Sequence, residues 1–290
     1  MTRRLCAALA LACGLWAAAC SQAPVAEEHA SGGAGAPAHD GKLVLTGSGA
    51  VAPLAAEIAH RFEKVYPGVR VEVRTDGGGN GLHALRAGVA HIGMVARPLY
   101  DSEKDLTGFA LARDAVGLIV HAANRVLPLS DEEVIAIYTG AVTDWSQLGG
   151  ISGPITVVHA AAGRPAHELF LNYYGLKDGD IRAQVVTRDN AQGVRAVAGD
   201  PLAIGYVSVG AAEQQMDAGM PIRLLRVGGV QASTAAVREG RFPLSRQLAL
   251  VTTGPPQGLA KEFIAFATSE RVRDLLEARS LVPVVSDGGN

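Results

Sequence analysis

Beyond residue 20 this chain has no cysteine: Cys6, Cys13 and Cys20 are its only three, in a sequence of 290 residues. Disulfides and thiolate metal centres are therefore excluded from the rest of the chain, and a hydrophobic core must carry the fold. Aromatic residues are scarce, at 5%. Neither sign of charge dominates, with 26 basic side chains against 28 acidic ones and a formal net charge of −2. Such a balance gives no electrostatic footprint for nucleic acid. After the first twenty residues no uncharged stretch reaches the ~20 residues that a membrane span needs. Two hydrolase signatures are missing as well, the G-x-S-x-G elbow and the H-E-x-x-H helix. No fixed-period repeat is present.

What is present begins at the N-terminus. Arg3 and Arg4 precede an almost unbroken apolar run from Leu5 to Ala19. Its length and small-residue ending are those of a secretory signal peptide, predicted over residues 1–19. Ala17-Ala18-Ala19 before Cys20 resembles a bacterial lipobox, with Ala17 where leucine is usual. The expectation is an exported protein of the periplasm or cell envelope. It is lipidated at Cys20, touches the membrane through that lipid only, and carries a flexible Ala/Gly/Pro/Ser-rich tether over residues 20–42. Subtracting 19 residues from 290 leaves 271, enough for two domains of ~100–150 residues. Loss of Arg3 and Arg4 takes the formal charge from −2 to −4.

From Leu43 onward, short β-rich runs alternate with helical patterns. Leu43–Leu45 reads as a strand, Leu54, Ile58, Phe62 and Val65 as one helix face ending before Pro67, and Val69, Val71 and Val73 as a second strand. A helix over Leu82–Ala87 closes at Gly88, and Ile92–Val95 and Val116–Val120 are buried runs. Ser130 caps a helix that opens with Asp131, Glu132 and Glu133, where the dipole favours acids. Further strands are predicted at Ile155–Val158, Gln184–Thr187, Ala203–Val209 and Leu248–Thr252. Helices are predicted at His167–Tyr174, at Gln192–Ala198, and around Phe263 and Leu275. This alternation indicates an α/β fold with parallel sheets.

One local arrangement recurs: a strand, a loop of small residues, a helix start. It occurs at Thr46–Ala50, Asp76–Gly81, Ala161–Ala166 and, more weakly, Asp189–Gly193. Helix N-termini expose unpaired N–H groups and partial positive charge, so each loop is a candidate anion cradle. Small residues let a ligand approach the backbone. Pro165 suits a first helical position. Arg164 stands where a cation opposes the dipole, a local cost that an anion would offset.

At these loops the residues resemble a known family. Thr46-Gly-Ser-Gly-Ala-Val-Ala-Pro-Leu54, Ala90-His-Ile-Gly-Met-Val-Ala-Arg-Pro-Leu99, Gly163-Arg-Pro-Ala-His-Glu-Leu-Phe170 and Ala203-Ile-Gly-Tyr-Val-Ser208 are similar, in order, to motifs of the periplasmic phosphate-binding proteins of ABC transporters. The resemblance runs from about Leu43 to Val284. It implies a two-lobed type II periplasmic-binding-protein fold with a ligand cleft between lobes. Lobe one would comprise residues 43–118 plus 248–290, and lobe two residues 119–247. It also implies a monomer that holds inorganic phosphate or a related oxyanion and delivers it to an ABC permease, without catalysis, cofactor or metal. The ligand-binding residues carried over are Ser48, Gly49, Ala50, Gly78, Gly79, Asn80, Arg97, Gly163, Arg164, Ala166 and Asn190. A buried anion needs its lost hydration replaced by fixed donors, the charged ones strongest.

The chain departs from the family pattern in one direction. Ala50, Gly78, Gly79, Ala96 and the Pro165-Ala166 pair stand where relatives carry hydroxyl or acidic residues. Each hydroxyl bond left unmade costs roughly 1–3 kcal/mol, against about 8 kcal/mol for micromolar binding. The site is therefore expected to be weakened or retuned, and a family member with a degraded site, acting in sensing or assembly, is the alternative. A remoter alternative is a nicotinamide-dependent enzyme, because Gly47-Ser-Gly49-Ala-Val-Ala52 fits G-x-G-x-x-A with Glu72 twenty residues on. Export and Pro53 speak against it. His159 and His167, eight residues apart with no third ligand nearby, predict no metal site. Tyr206 is expected in the core or lining, and Arg246 in an interlobe ion pair.

Overall fold

The computed structural model describes residues 40–284. The expected signal peptide, lipidation at Cys20 and tether up to residue 39 lie outside the described residues. No helix among the described residues is long and apolar enough to cross a membrane.

The first strand, β1 (Gly41–Gly47), starts two residues earlier than the sequence suggests. Gly41 and Lys42, assigned to the tether, pair with Val69 and Arg70. β1 leads into α1 (Ala52–Val65), β2 (Val69–Arg74), α2 (Gly78–Arg86) and β3 (Ile92–Val95). β1 runs parallel to both β2 and β3. α1 buries Leu54, Ile58 and Phe62, spaced at the helical period. Phe62 meets the edges of Phe263 and Phe266 at 5.2 and 5.4 Å, at the centre of the first core.

β4 (Leu106–His121) is 16 residues long and joins two halves of one sheet. Its first part pairs antiparallel with β11 (Ser245–Thr253), from Leu106↔Thr253 to Ala115↔Ser245. From Val116 onward it pairs with β7 (Ala203–Ser208) and β8 (Ile222–Leu224) instead. Its last third is buried on both faces, hence the unbroken apolar run Val116–Val120. Between these lie α3 (Asp131–Thr139), β5 (Thr156–Ala160), α4 (Pro165–Tyr174), β6 (Val185–Thr187) and α5 (Asn190–Ala198). α6 (Val209–Asp217), β9 (Arg226–Val227), β10 (Val230–Gln231) and α7 (Thr234–Arg238) follow. The chain then returns through β11 to α8 (Gly258–Ala267), α9 (Arg273–Ala278) and β12 (Val282–Pro283).

The sheet order is β2-β1-β3-β11-β4-β7-β5-β6, with β8 and β12 also on β4. The architecture is thus two-lobed α/β, as the resemblance implies. The sheets are mixed rather than purely parallel, a correction to the sequence reading. Both crossing strands, β4 and β11, run antiparallel to their neighbours, and a strand shared by two lobes cannot carry a crossover helix on each side.

A second core fills the other lobe around Tyr138, Phe170 and Tyr206. Phe170 and Tyr206 stack with ring centroids 4.1 Å apart and planes 4° from parallel. Ser130 caps α3 in a reciprocal capping box with Glu133, and Gly140 ends it in the left-handed conformation. Val282 packs into this second core although the helices before it pack into the first.

Candidate functional site

The lobes face each other across a cleft of about 500 Å³. One wall comes from the start of α1 (Ala50, Pro53, Leu54) and the segment after α9 (Ala278–Leu281). The other comes from the start of α4 (Arg164, Pro165, Ala166), the loop before α5 (Thr187–Ala191), and Tyr206 and Ser208 of β7. Asp114 of β4 closes the floor, held by Arg246 at 2.9 Å with both groups largely buried. Arg246 also reaches the Pro165 carbonyl at 3.4 Å, so it ties its own strand and β4 to α4. A larger hollow of about 710 Å³ lies between β4, α7 and α9, but none of the four small-residue loops lines it.

Of the eleven expected ligand-binding residues, Ala50, Arg164, Ala166 and Asn190 line this cleft. Ser48, Gly49, Gly79, Asn80, Arg97 and Gly163 are not among its lining residues, and the surroundings of Gly78 are not described. Local bonding explains much of the difference. In the first loop, the amide of Ser48 donates to the Met94 carbonyl at 2.9 Å, and that of Ala50 donates to the Ser48 hydroxyl. The amides of Val51 and Ala52 both donate to the Ser48 carbonyl, so the turn consumes most of its own donors. The second loop is pulled tight against the first. Thr46 donates to Asp76 at 2.6 Å, and a Cβ on Gly81 would stand 2.4 Å from the Gly47 Cα. Gly81 is there because two backbones touch.

Arg97 is engaged elsewhere. Its guanidinium forms a two-pronged pair with Glu103 at 2.7 and 2.8 Å and lies over the Tyr100 ring at 3.7 Å. The hydrogen bonds from Arg97 hold the Glu103 carboxyl down to about 2. Asn190 reaches the cleft, but its amide exchanges two bonds with Ser208 at 3.1 and 3.2 Å. Asp189 caps α5 by accepting from the Gln192 amide, which places a carboxylate where an anion would sit.

The start of α4 shares its missing side-chain cap with α1 and α2 and differs in the charges beside it. Arg164 is its N-cap with no side-chain cap bond, and Pro165 occupies the first turn. The guanidiniums of Arg164 and Arg188 form no hydrogen bond or ion pair among the described residues, and both line the cleft. Arg188 was missed from sequence. It stands directly before the Asp189–Gly193 loop, and its position between a strand end and a helix start was the available signal. Thr187 and Ser208, both buried hydroxyl residues on the lining, were also missed.

Behind this wall the fold brings a third group to the two histidines. His159 is the penultimate residue of β5, His167 sits in the first turn of α4, and the rings are 5.1 Å apart. Asp178, in the turn after α4, supplies the third group absent from the local sequence, 2.7 Å from His167 Nε2 and 3.4 Å from His159 Nε2. The two histidines hold the Asp178 carboxyl below its ordinary range, while burial lowers His159. Tyr206 Oη lies 2.8 Å from His159 Nδ1 and accepts from the Ala160 amide at 3.2 Å. Glu72, the remote alternative's ribose partner, is paired with Lys42 and Arg74.

Comparison with known proteins agrees with this geometry. The phosphate-binding protein PstS of Bacillus subtilis is 28% identical over 282 residues, covering 92% of this chain and 89% of that protein. The crystal structure of an ABC-type phosphate transport receptor from Vibrio cholerae superposes with a TM-score of 0.68 at 27% identity, over 83% of this chain and 99% of that one. A putative phosphate ABC transporter substrate-binding protein with bound phosphate from Clostridium perfringens gives a TM-score of 0.52 at 28% identity, over 84% and 100%. A family model described as the PBP superfamily domain matches residues 32–271. With two α/β lobes, two crossing strands and a cleft between them, the chain belongs to the PBP superfamily domain family.

Proposed function

We propose that this protein is an extracytoplasmic solute-binding lipoprotein that binds phosphate or a related oxyanion and presents it to an ABC importer, and that it is not an enzyme. The observation that carries the reading is the pair of guanidiniums, Arg164 and Arg188, with no partner among the described residues, beside the start of α4 in the interlobe cleft. A dehydrated anion is held best by charged donors and helix-start amides together. Relatives named for phosphate binding and phosphate transport support the ligand class. The lobe-one loops would join the anion when the lobes close around it, the closed state being favoured by contacts that only it makes. Cys20 would carry the lipid anchor in the cell envelope.

Calorimetric titration with inorganic phosphate, and separately with sulfate, tests this. Micromolar or tighter binding of one oxyanion, about 8 kcal/mol, is the expected result. A second reading, a binding-protein relative that has lost its ligand, is favoured by the self-satisfied amides of the first loop and by the acidic cap on α5. Absence of heat with every oxyanion tried would decide for it.

A further inference from the structure

We propose that His159 Nε2, His167 Nε2 and Asp178 Oδ1 form a binding site for a zinc-class divalent transition ion, built into lobe two behind the cleft wall. The three offered atoms lie within 4.8 Å of one another, and both rings are buried. A tetrahedral ion with bonds of about 2.0–2.1 Å sets its ligand atoms about 3.3–3.4 Å apart. The His159–Asp178 separation of 3.4 Å already matches, and the His167–Asp178 separation of 2.7 Å needs an opening of about 0.6 Å. Asp178 can supply it, since its side chain is 63% exposed, and the two histidine nitrogens, within 4.8 Å of one another, would draw together on the ion.

The donor set decides the class of ion. Two imidazoles and one carboxylate suit zinc, nickel, cobalt or copper, whereas magnesium and calcium take oxygen. Exposure on the Asp178 side leaves room for water as the fourth ligand. Support from outside the ligand set is present for His159, whose Nδ1 faces the Tyr206 hydroxyl at 2.8 Å and can donate to it once Nε2 is bound to metal. His167 Nδ1 is buried with no hydrogen-bond partner among the described residues, so the only polar contact of that ring is the one on its Nε2 side. The three ligands come from β5, α4 and the turn after α4, so an ion would pin the helix whose start forms the cleft. Tyr206, which touches both the cleft and His159, joins the two sites.

The test uses the full chain with Cys6, Cys13 and Cys20 changed to serine, which removes competing thiols. Titration with Zn²⁺ alone should show one equivalent bound with a dissociation constant of about 10 μM or lower and a raised thermal midpoint. Co²⁺ should give the intense visible absorption of a tetrahedral site. Asp178→Ala, at an exposed position, should weaken Zn²⁺ binding at least tenfold while leaving the far-UV circular dichroism unchanged. His167→Gln should weaken it further. Tyr206→Phe, which removes only a hydroxyl, should cost roughly tenfold. Should His167→Gln fail to fold, Asp178→Ala decides alone. No zinc uptake at about 100 μM, or uptake unchanged in Asp178→Ala, would overturn the proposal.

Discussion

Lobe one and lobe two approach the cleft with the same local device, a strand end leading through small residues into a helix start, but they use it differently. In lobe one the first loop spends most of its donors internally, and the second is pressed against it. Ser48, Ala50, Val51 and Ala52 bond within the turn or to β3, Gly81 is pressed onto Gly47, and Arg97 is locked to Glu103. The starts of α1, α2 and α4 all lack a side-chain cap, but beside α4 in lobe two stand two arginines with no partner among the described residues. The lesson is that a glycine-rich turn before a helix predicts an available cradle only when its own carbonyls and hydroxyls do not capture its amides first. Supply of donors is set by sequence, and availability by the bonds those donors have already made.

The largest expected effect probes the two cores. Phe62→Ala and Phe170→Ala should each destabilise the protein by about 3–5 kcal/mol in urea unfolding, because each empties the centre of a packed cluster. Only Phe170→Ala should also weaken oxyanion binding, since its ring stacks on cleft-lining Tyr206. Equal binding losses in the two variants would erase the distinction between the lobes.

A smaller effect sharpens the same contrast at the site. Arg164→Ala and Arg188→Ala should each reduce phosphate affinity about 10- to 100-fold, the 1.5–3 kcal/mol of a charge-assisted bond. Arg97→Ala should change it less than about threefold, because its guanidinium is committed to Glu103. Calorimetry that ranks Arg97 first would show the lobe-one loops to be the working cradle.

The smallest effect is on acid stability. Glu103 falls from an ordinary 4.5 to about 2 in the folded protein, chiefly through its bonds from Arg97. A depressed carboxylate contributes stability that is complete above its unfolded pKa and is lost as pH falls through the folded one. Glu103→Gln should therefore flatten the stability profile between pH 4.5 and 2 and leave phosphate binding at pH 7 untouched. A matching loss of binding would place Arg97 and Glu103 in the site.

Much of the fold was legible because local rules and tertiary demands agreed. The Leu54-Ile58-Phe62 stripe, the Ser130 cap and the end of the His167–Tyr174 helix at Gly175 formed as their patterns required. The short strands β8 to β10 and helix α6 were missed, since two or three residues carry no period and α6 follows β7 without a turn residue between them. The mixed direction of the sheet was missed for a different reason. Strand direction is set by which distant segments pair, and β4 finds β11 about 130 residues away.

The sequence by itself determined the alternation of strands and helices, the two apolar cores, the order of the four loops and the presence of Arg164 at a helix start. Those are properties of neighbours along the chain, governed by periodicity and by the chemistry of helix ends. Tertiary structure alone decided which loops retain free donors, that Arg97 is taken by Glu103 while Arg188 is not, and that Asp178 completes a cluster with His159 and His167. Hydrogen bonds and ion pairs are exclusive, each donor serving few acceptors, so their allocation is fixed only when residues far apart in sequence compete for them in space.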